Sequence, residues 1–402
     1  MKIGSLIKYH RTKQGLTQNE LAMGICSIPH LSKIENNSKE ANEETIRLLL
    51  EKLNIQLQEV VEREQYIVSL LSDLQKHIYY VNKQEAVNTF EKLVEYGELI
   101  PFTNQIYLYE LYKLRYYIFT SNLKLARLQL SILSDFKRNF SQYERYLHSL
   151  FNALLLIIDG KYQAADKEFV ILLQKHVELG LFGGDVYYHL AIVKYRLDES
   201  GQAIIFSRKA LNFYKDEYNF KRILYTLMSL ALYYSNEKLY QEALETYEHL
   251  LRNVEVLHEH HLLSQIYQNL GLLYLRMGDN VQALSYYEKS TSITTENHQL
   301  YSMGLYNLGF TQFEMGLYEE SKKSFLVLKK KAKNPIYINL ATFYLLLLNL
   351  QENEAMEFLE MKLISQLSKI HDLNEVYLYL KNILKEYLLK KEKYEKALQF
   401  SV

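Results

Sequence analysis

Small residues recur through most of this chain with a period close to 40. Ala86, Ala126, Ala165, Ala203, Ala243, Ala283, Ser321, Ala355 and Ala397 lie 40, 39, 38, 40, 40, 38, 34 and 42 residues apart. Self-similarity at such a period marks stacked supersecondary units that bury a continuous core only against their neighbours. A companion series, Ala153, Ala191, Ala231, Gly271 and Gly309, accompanies the five clearest units, with Tyr162, Tyr240 and Tyr318 at matching turns. The units must be helical. Only 3 prolines and 14 glycines occur in 402 residues, and those are the residues that punctuate sheets, hairpins and long loops. The 36 tyrosines against no tryptophan suit aromatic packing between helices in which the hydroxyl stays wet.

The block Asn269-Leu270-Gly271, Tyr274, Gly278, Ala283, Tyr287 has the small-residue and aromatic spacing of a tetratricopeptide unit. The expected fold is therefore all-α, with about nine tetratricopeptide-like helix pairs over residues 64–402 winding into a right-handed superhelix. The first two and last two pairs are the most degenerate. Residues 1–63 break the period and read as four short helices. Ile3, Leu6, Ile7 and His10 are at helical spacing before Gln14-Gly15. Thr17-Gln18-Asn19-Glu20 has the capping-box form. Ser27 can cap a third helix with Pro29 in its first turn and Leu31 and Ile34 buried, and Asn42 opens a fourth with Ile46, Leu49, Leu50 and Leu53.

Helix, four-residue break, helix is the plan in which the second helix enters the DNA major groove. Gln18, Ser27, Ile28, His30 and Lys33 are the expected DNA contacts, since amides and hydroxyls read base edges while lysine holds phosphates. The whole chain is neutral, but residues 1–39 carry Lys2, Lys8, Arg11, Lys13, Lys33 and Lys39 against Glu20 and Glu35, a local +4 that can supply the electrostatic footprint.

On the repeats, an inner face is expected from first-helix residues pointing away from the packed small positions: Tyr188, His189 and Arg196; Tyr225, Met228 and Ser229; Gln268, Asn269, Leu272 and Arg276; Tyr306, Asn307 and Phe310. Asparagine and glutamine there can pair with both N–H and C=O of an extended peptide, with Arg196 or Arg276 on a carboxylate. The competing use of the amides is to cap or bridge neighbouring helices. A symmetric homodimer on an inverted-repeat operator follows from the small surface that one reader of this size can bury.

Residues Gly15-Leu16-Thr17-Gln18-Asn19-Glu20-Leu21-Ala22, Ile25-Cys26-Ser27 and Leu31-Ser32-Lys33-Ile34-Glu35-Asn36-Asn37 resemble the lambda-repressor/Cro-type domain. The version is the one carried by the PlcR and NprR branch of the Rap/NprR/PlcR quorum-sensing superfamily, over roughly residues 3–55. The resemblance implies a cytoplasmic transcription regulator switched by a short signalling peptide. Its other members imply two alternatives, sequestration of a sporulation response regulator and an arbitrium-type phage lysis–lysogeny switch. A Rap-like aspartyl-phosphate phosphatase is disfavoured because Rap proteins replace the reader with another helical bundle.

No Gly-x-Ser-x-Gly, P-loop or His-Glu-x-x-His occurs, so neither catalysis nor a cofactor is expected. Gly180-Leu181-Phe182-Gly183-Gly184 reads as an inter-repeat turn, His258-Glu259-His260-His261 as a solvated junction, and Lys329-Lys330-Lys331-Ala332-Lys333 as a solvent-facing helix end. The lone cysteine, Cys26, reads as a small buried apolar residue. The longest apolar runs, such as Tyr344–Leu348, are far short of the ~18 residues that span a bilayer, and no membrane association is expected.

Overall fold

A computed structural model describes residues 2–38, 41–181, 183–295, 300–370 and 373–400. Lys39 of the basic patch and Phe182 of the glycine-rich turn lie outside the described residues. Every regular element among these residues is helical. The reader comprises α1 (Ile3–Lys13), α2 (Gln18–Ala22), α3 (Ile28–Glu35) and α4 (Glu43–Lys52). Its starts are chemical: Thr17 and Glu20 close a reciprocal capping box, Ser27 accepts the His30 N–H, and Asn42 accepts the Thr45 N–H at 2.8 Å. These side chains satisfy amides that a helix start leaves open. Leu21, Leu31, Leu49 and Leu50 are wholly buried in its core.

Nine helix pairs follow: α5 (Leu57–Tyr79) with α6 (Lys83–Glu95), α7 (Ile106–Phe119) with α8 (Leu123–Phe136), α9 (Gln142–Ile158) with α10 (Tyr162–Glu178), α11 (Asp185–Arg196) with α12 (Ser200–Asp216), and α13 (Phe220–Asn236) with α14 (Tyr240–Val256). Then come α15 (Leu263–Met277) with α16 (Asn280–Ile293), α17 (Leu300–Glu314) with α18 (Tyr318–Lys331), and α19 (Pro335–Leu348) with α20 (Glu352–Phe358). A π turn at Leu359–Leu363 continues α20 into α21 (Ile364–Leu367), and α22 (Asn374–Lys390) with α23 (Tyr394–Gln399) ends the series. All nine residues of the small-residue series are at most 1% exposed, the degenerate units included. In the companion series the helices approach closer still: a Cβ on Gly271 would sit 2.5 Å from the Tyr287 ring, so only glycine admits that ring at this point.

The turn inside each pair repeats as faithfully as the alanine does. Val81, Ser121, Gly160, Asp198, Lys238, Gly278, Gly316, Leu350 and Glu392 all have left-handed φ, each five residues before its buried small residue. Six of the nine are not glycine. Val81, at φ 58°, is the least suited because it is β-branched. Val81→Gly should therefore stabilise the first pair by about 1 kcal/mol, the relief of left-handed strain outweighing glycine's entropy in the unfolded chain. Chemical denaturation checks this, and a loss of stability would refute it.

The described chain forms two compact units, Met1–Val193 with Asn212–Ile223, and Lys194–Leu211 with Leu224–Val402. In the first, α5 is one unbroken helix from behind the reader into the first repeat, and the reader is seated on that repeat. Lys2 N–H donates to the Phe102 carbonyl at 2.7 Å, Tyr9 packs on Phe102, and Lys13 pairs with Glu98 at 2.8 Å. In the second, an aromatic core gathers around Tyr344, whose ring stacks on Phe325 at 4.7 Å.

Candidate nucleic-acid interface and ligand face

Three of the reader's four helices, α1, α2 and α3, are locked by one polar triad. Arg11 donates to Glu35 twice, at 2.6 and 3.1 Å, and to the Leu16 carbonyl at 2.7 Å. The Gln18 amide donates to the same Glu35 carboxylate at 2.8 Å. Glu35 is 2% exposed and Arg11 9%, so this pair cancels inside the fold and sends no charge to DNA. Lys13 is likewise engaged with Glu98. The accessible positive charge is Lys2, Lys8 and Lys33, each exposed. On α3, Ser27, Ile28 and Lys33 are exposed and His30 is half-buried. The Ser27 oxygen caps the helix and keeps its own hydrogen to donate. Burial pushes the Cys26 thiol above its usual range, which keeps it protonated and unreactive.

On the second unit, the candidate face is wired together. Gln268 is 2% exposed; its amide donates to Ser290 Oγ at 3.0 Å and its carbonyl accepts from the Asn307 amide at 3.1 Å. Those two amides thus bridge α15 and α17. Asn269 lies beside the Tyr247 hydroxyl without closing a hydrogen bond of good geometry. Arg276 donates to Ser235 Oγ at 2.9 Å and pairs with Glu375 of α22. Tyr306 is buried against Phe310 and Tyr344. Ser229 donates back to the Tyr225 carbonyl at 3.1 Å, and Arg196 and Tyr225 are half-buried.

Tyr188 and His189 belong to the first unit, in a polar cluster around Asp185. Tyr214 donates to the Asp185 carboxylate at 2.7 Å, with the Arg222 guanidinium 3.7 Å away. Arg222 also donates to the Tyr79 carbonyl at 3.3 Å and lies over the Tyr188 ring. Tyr79 itself donates to Glu217. Burial drives the Asp185 carboxyl up, yet the charges of Arg222 and Arg115 and the Tyr214 hydrogen bond outweigh it and hold it below the usual range. Burial pulls His189 down to about 3 and Arg115 down to about 10. His189 Nε2 is sealed from solvent with no hydrogen-bond partner.

A family model described as helix-turn-helix matches residues 7–60, and one described as tetratricopeptide repeat matches residues 222–296. The transcriptional activator NprA of Geobacillus stearothermophilus is 25% identical over 396 residues, covering 94% of this chain and 97% of NprA. The apo form of the quorum sensor NprR from B. thuringiensis superposes with a TM-score of 0.69 at 21% identity, over 84% of this chain and 97% of that one. NprR in complex with its cognate peptide NprX superposes with a TM-score of 0.66 at 21% identity, over 83% and 98%. The chain carries a helix-turn-helix reader followed by tetratricopeptide-like repeats, and its fold is that of the NprR structures.

The candidate residues do not gather in one place: Ser27, Ile28, His30 and Lys33 lie at α3, Gln18 bonds to Glu35, Tyr188 and His189 belong to the Asp185 cluster of the first unit, and Arg196, Tyr225, Ser229, Gln268, Asn269, Arg276, Tyr306 and Asn307 lie on first helices in the second unit. Arg115, Asp185, Arg222 and Tyr79 escaped sequence reasoning. Their only signal is charge on otherwise apolar first helices, as in Leu114-Arg115-Tyr116 of α7. Among the described residues no group of three or more His, Cys, Asp or Glu could hold a metal, and no helix is long and apolar enough to cross a membrane.

Proposed function

We propose that this chain is a transcription regulator that binds operator DNA through α3 and is switched by a short linear peptide on the inner face of its repeats, acting in the cytoplasm without a catalytic step. The observation that carries the reading is a reader whose α3 is fixed by the Arg11–Glu35–Gln18 triad, leaving Ser27, Ile28 and Lys33 presented to solvent. The relation to an activator along nearly the whole chain supports the DNA half. NprR, a protein of the same plan, has been solved with its cognate peptide, which supports the other. We assign Gln18, Ser27, Ile28, His30 and Lys33 to DNA. On the second unit we assign Arg196, Tyr225, Ser229, Gln268, Asn269, Arg276, Tyr306 and Asn307 to the ligand, while Tyr188 and His189 stay with the Asp185 cluster of the first unit.

Selection from a randomised duplex pool should return an inverted repeat, because two readers in a symmetric dimer meet half-sites about one helical turn, or a multiple, apart. In gel shifts on that duplex, Lys33→Ala should weaken binding and lower the salt slope by about one unit, the signature of one lost phosphate contact. An asymmetric single site, or an unchanged slope, would refute the DNA assignment. For the ligand half, Asn269→Ala should weaken a selected peptide by about 1 to 3 kcal/mol, because the peptide groups it pairs would be left desolvated. Unchanged affinity in calorimetry would move the peptide elsewhere.

A further inference from the structure

In a stack of helix pairs each unit touches its sequence neighbours. The ninth pair of the second unit does more. Glu375, in the first turn of α22, reaches Arg276 on the sixth pair, 99 residues away in sequence. One turn further along α22, Tyr379 donates to Glu314 of the seventh pair at 2.8 Å and meets the Phe310 ring edge-on at 5.4 Å. The first helices of pairs six and seven therefore face the first helix of pair nine across the inner side of this unit. Long side chains make the bridge, since α22 packs against the π turn, α21 and α23 but not broadly on α15 or α17.

The two ends of the ion pair are unequal. Arg276 is 15% exposed and oriented by Ser235, whereas Glu375 is 61% exposed and has no second partner among the described residues that would hold it there. If Glu375 swung away, Arg276 would remain in place, a cation with one side of its planar fork vacated. The charge of Arg276 also acts on the buried Tyr247 and Tyr287 phenols. A fixed guanidinium with one side of its fork vacated suits a carboxylate. Every linear peptide carries one at its C-terminus whatever its sequence.

We propose that Glu375 is an internal stand-in for the C-terminal carboxylate of the peptide ligand. It occupies Arg276 in the free protein and, with Tyr379, clasps α22 over pairs six and seven until a ligand carboxylate displaces it. This rests on the peptide reading above and adds the anchoring group and its competitor. A ligand that must evict an internal group binds more weakly by the fraction of time that group is away. Removing the competitor should therefore tighten binding.

The test uses the full chain, wild type and Glu375→Gln, and two pools of random hexapeptides lacking Asp and Glu, one with free C-termini and one amidated. Affinity selection read by mass spectrometry gives retention of each pool. The expected result is that Glu375→Gln retains the free-carboxylate pool roughly two- to fivefold better than wild type, the range of a partly exposed ion pair, and gains no more on the amidated pool than Tyr379→Phe does. Tyr379→Phe, which loosens the clasp without freeing Arg276, should help both pools alike. No gain for Glu375→Gln, or an equal gain on the amidated pool, overturns the stand-in while leaving peptide sensing intact. Retention of neither pool by either protein overturns peptide sensing and the stand-in with it.

Discussion

Asp185→Asn should destabilise the first unit by roughly 3 to 5 kcal/mol, the cost of breaking a buried ion pair from one side. Asparagine keeps the shape and can still accept from Tyr214, so the loss is electrostatic. Arg222, 7% exposed, would keep its charge inside the fold without that carboxylate and with Arg115 as a nearby like charge. Set against a typical total of about 5 to 15 kcal/mol, that is enough to uncouple this unit from the rest in denaturant. The measurement is hydrogen exchange over α11 and α13, because a chain of two units need not unfold in one step. A loss below about 1 kcal/mol would mean that solvent reaches the cluster and screens it. The pH profile of the wild type provides a second reading of the same cluster. His189 is held neutral to about pH 3, while an unfolded histidine takes its proton near 6.5. Stability should therefore fall as pH drops below about 6.5, by up to ~1.4 kcal/mol per pH unit for this residue. His148 and His176, also lowered chiefly by burial, add to the slope. Asp185, whose pKa is depressed, contributes its stabilisation above the ordinary carboxylate range, and this is lost only as pH falls through its lower folded value.

The register of the repeats was legible because contact between paired helices leaves room for only a small side chain. That constraint acts once per unit, so it survives as a period even in pairs one, two, eight and nine, where little else repeats. The turns were not legible. The left-handed residue that closes each pair is as regular as the alanine, but Val81, Ser121, Asp198, Lys238, Leu350 and Glu392 occupy it without the glycine that signals such a turn. The stack evidently outweighs about 1 kcal/mol of local strain at each. In the reader, capping chemistry is local, so Thr17, Ser27 and Asn42 could be placed from sequence alone. Charge pairing is not local. Arg11 counts toward a basic patch on paper and is withdrawn in space by Glu35, 24 residues on. The same limit applies on the ligand face: the repeat places Asn269 and Asn307 at equivalent positions, yet spacing cannot say that the Asn307 amide bonds to Gln268 instead. The Asp185 cluster draws on α5, α7, α11, α12 and α13, and no period in the chain links those residues.

Gly4→Ala, one methyl group on α1, should weaken operator binding at least about tenfold. A Cβ at this position would lie 1.8 Å from the Ile34 carbonyl oxygen and 2.7 Å from its carbon. Both belong to the backbone of α3, so no side chain can rotate aside. Two effects oppose each other. Alanine is favoured over glycine inside a helix by about 1 kcal/mol, whereas a methyl forced into a close-packed contact costs typically 1 to 3 kcal/mol, and more when the obstacle is backbone. The clash wins, and its relief requires α1 and α3 to separate by about an ångström, since non-bonded heavy atoms sit at ~3 Å or more. Separation of that size strains the Arg11–Glu35 bonds, which span the same two helices, and tilts the face carrying Ser27, Ile28 and Lys33. On the duplex selected by the wild type, affinity should fall by at least about tenfold, the equivalent of ~1.4 kcal/mol, while the repeats keep their melting behaviour. Gly271→Ala is the matched control. Its new methyl meets the Tyr287 ring at 2.5 Å, so it should destabilise the sixth helix pair and leave the reader intact. Wild-type operator affinity in Gly4→Ala would show that the α1–α3 contact does not set the position of α3, and the assignment of α3 as the reading helix would lose its mechanical basis.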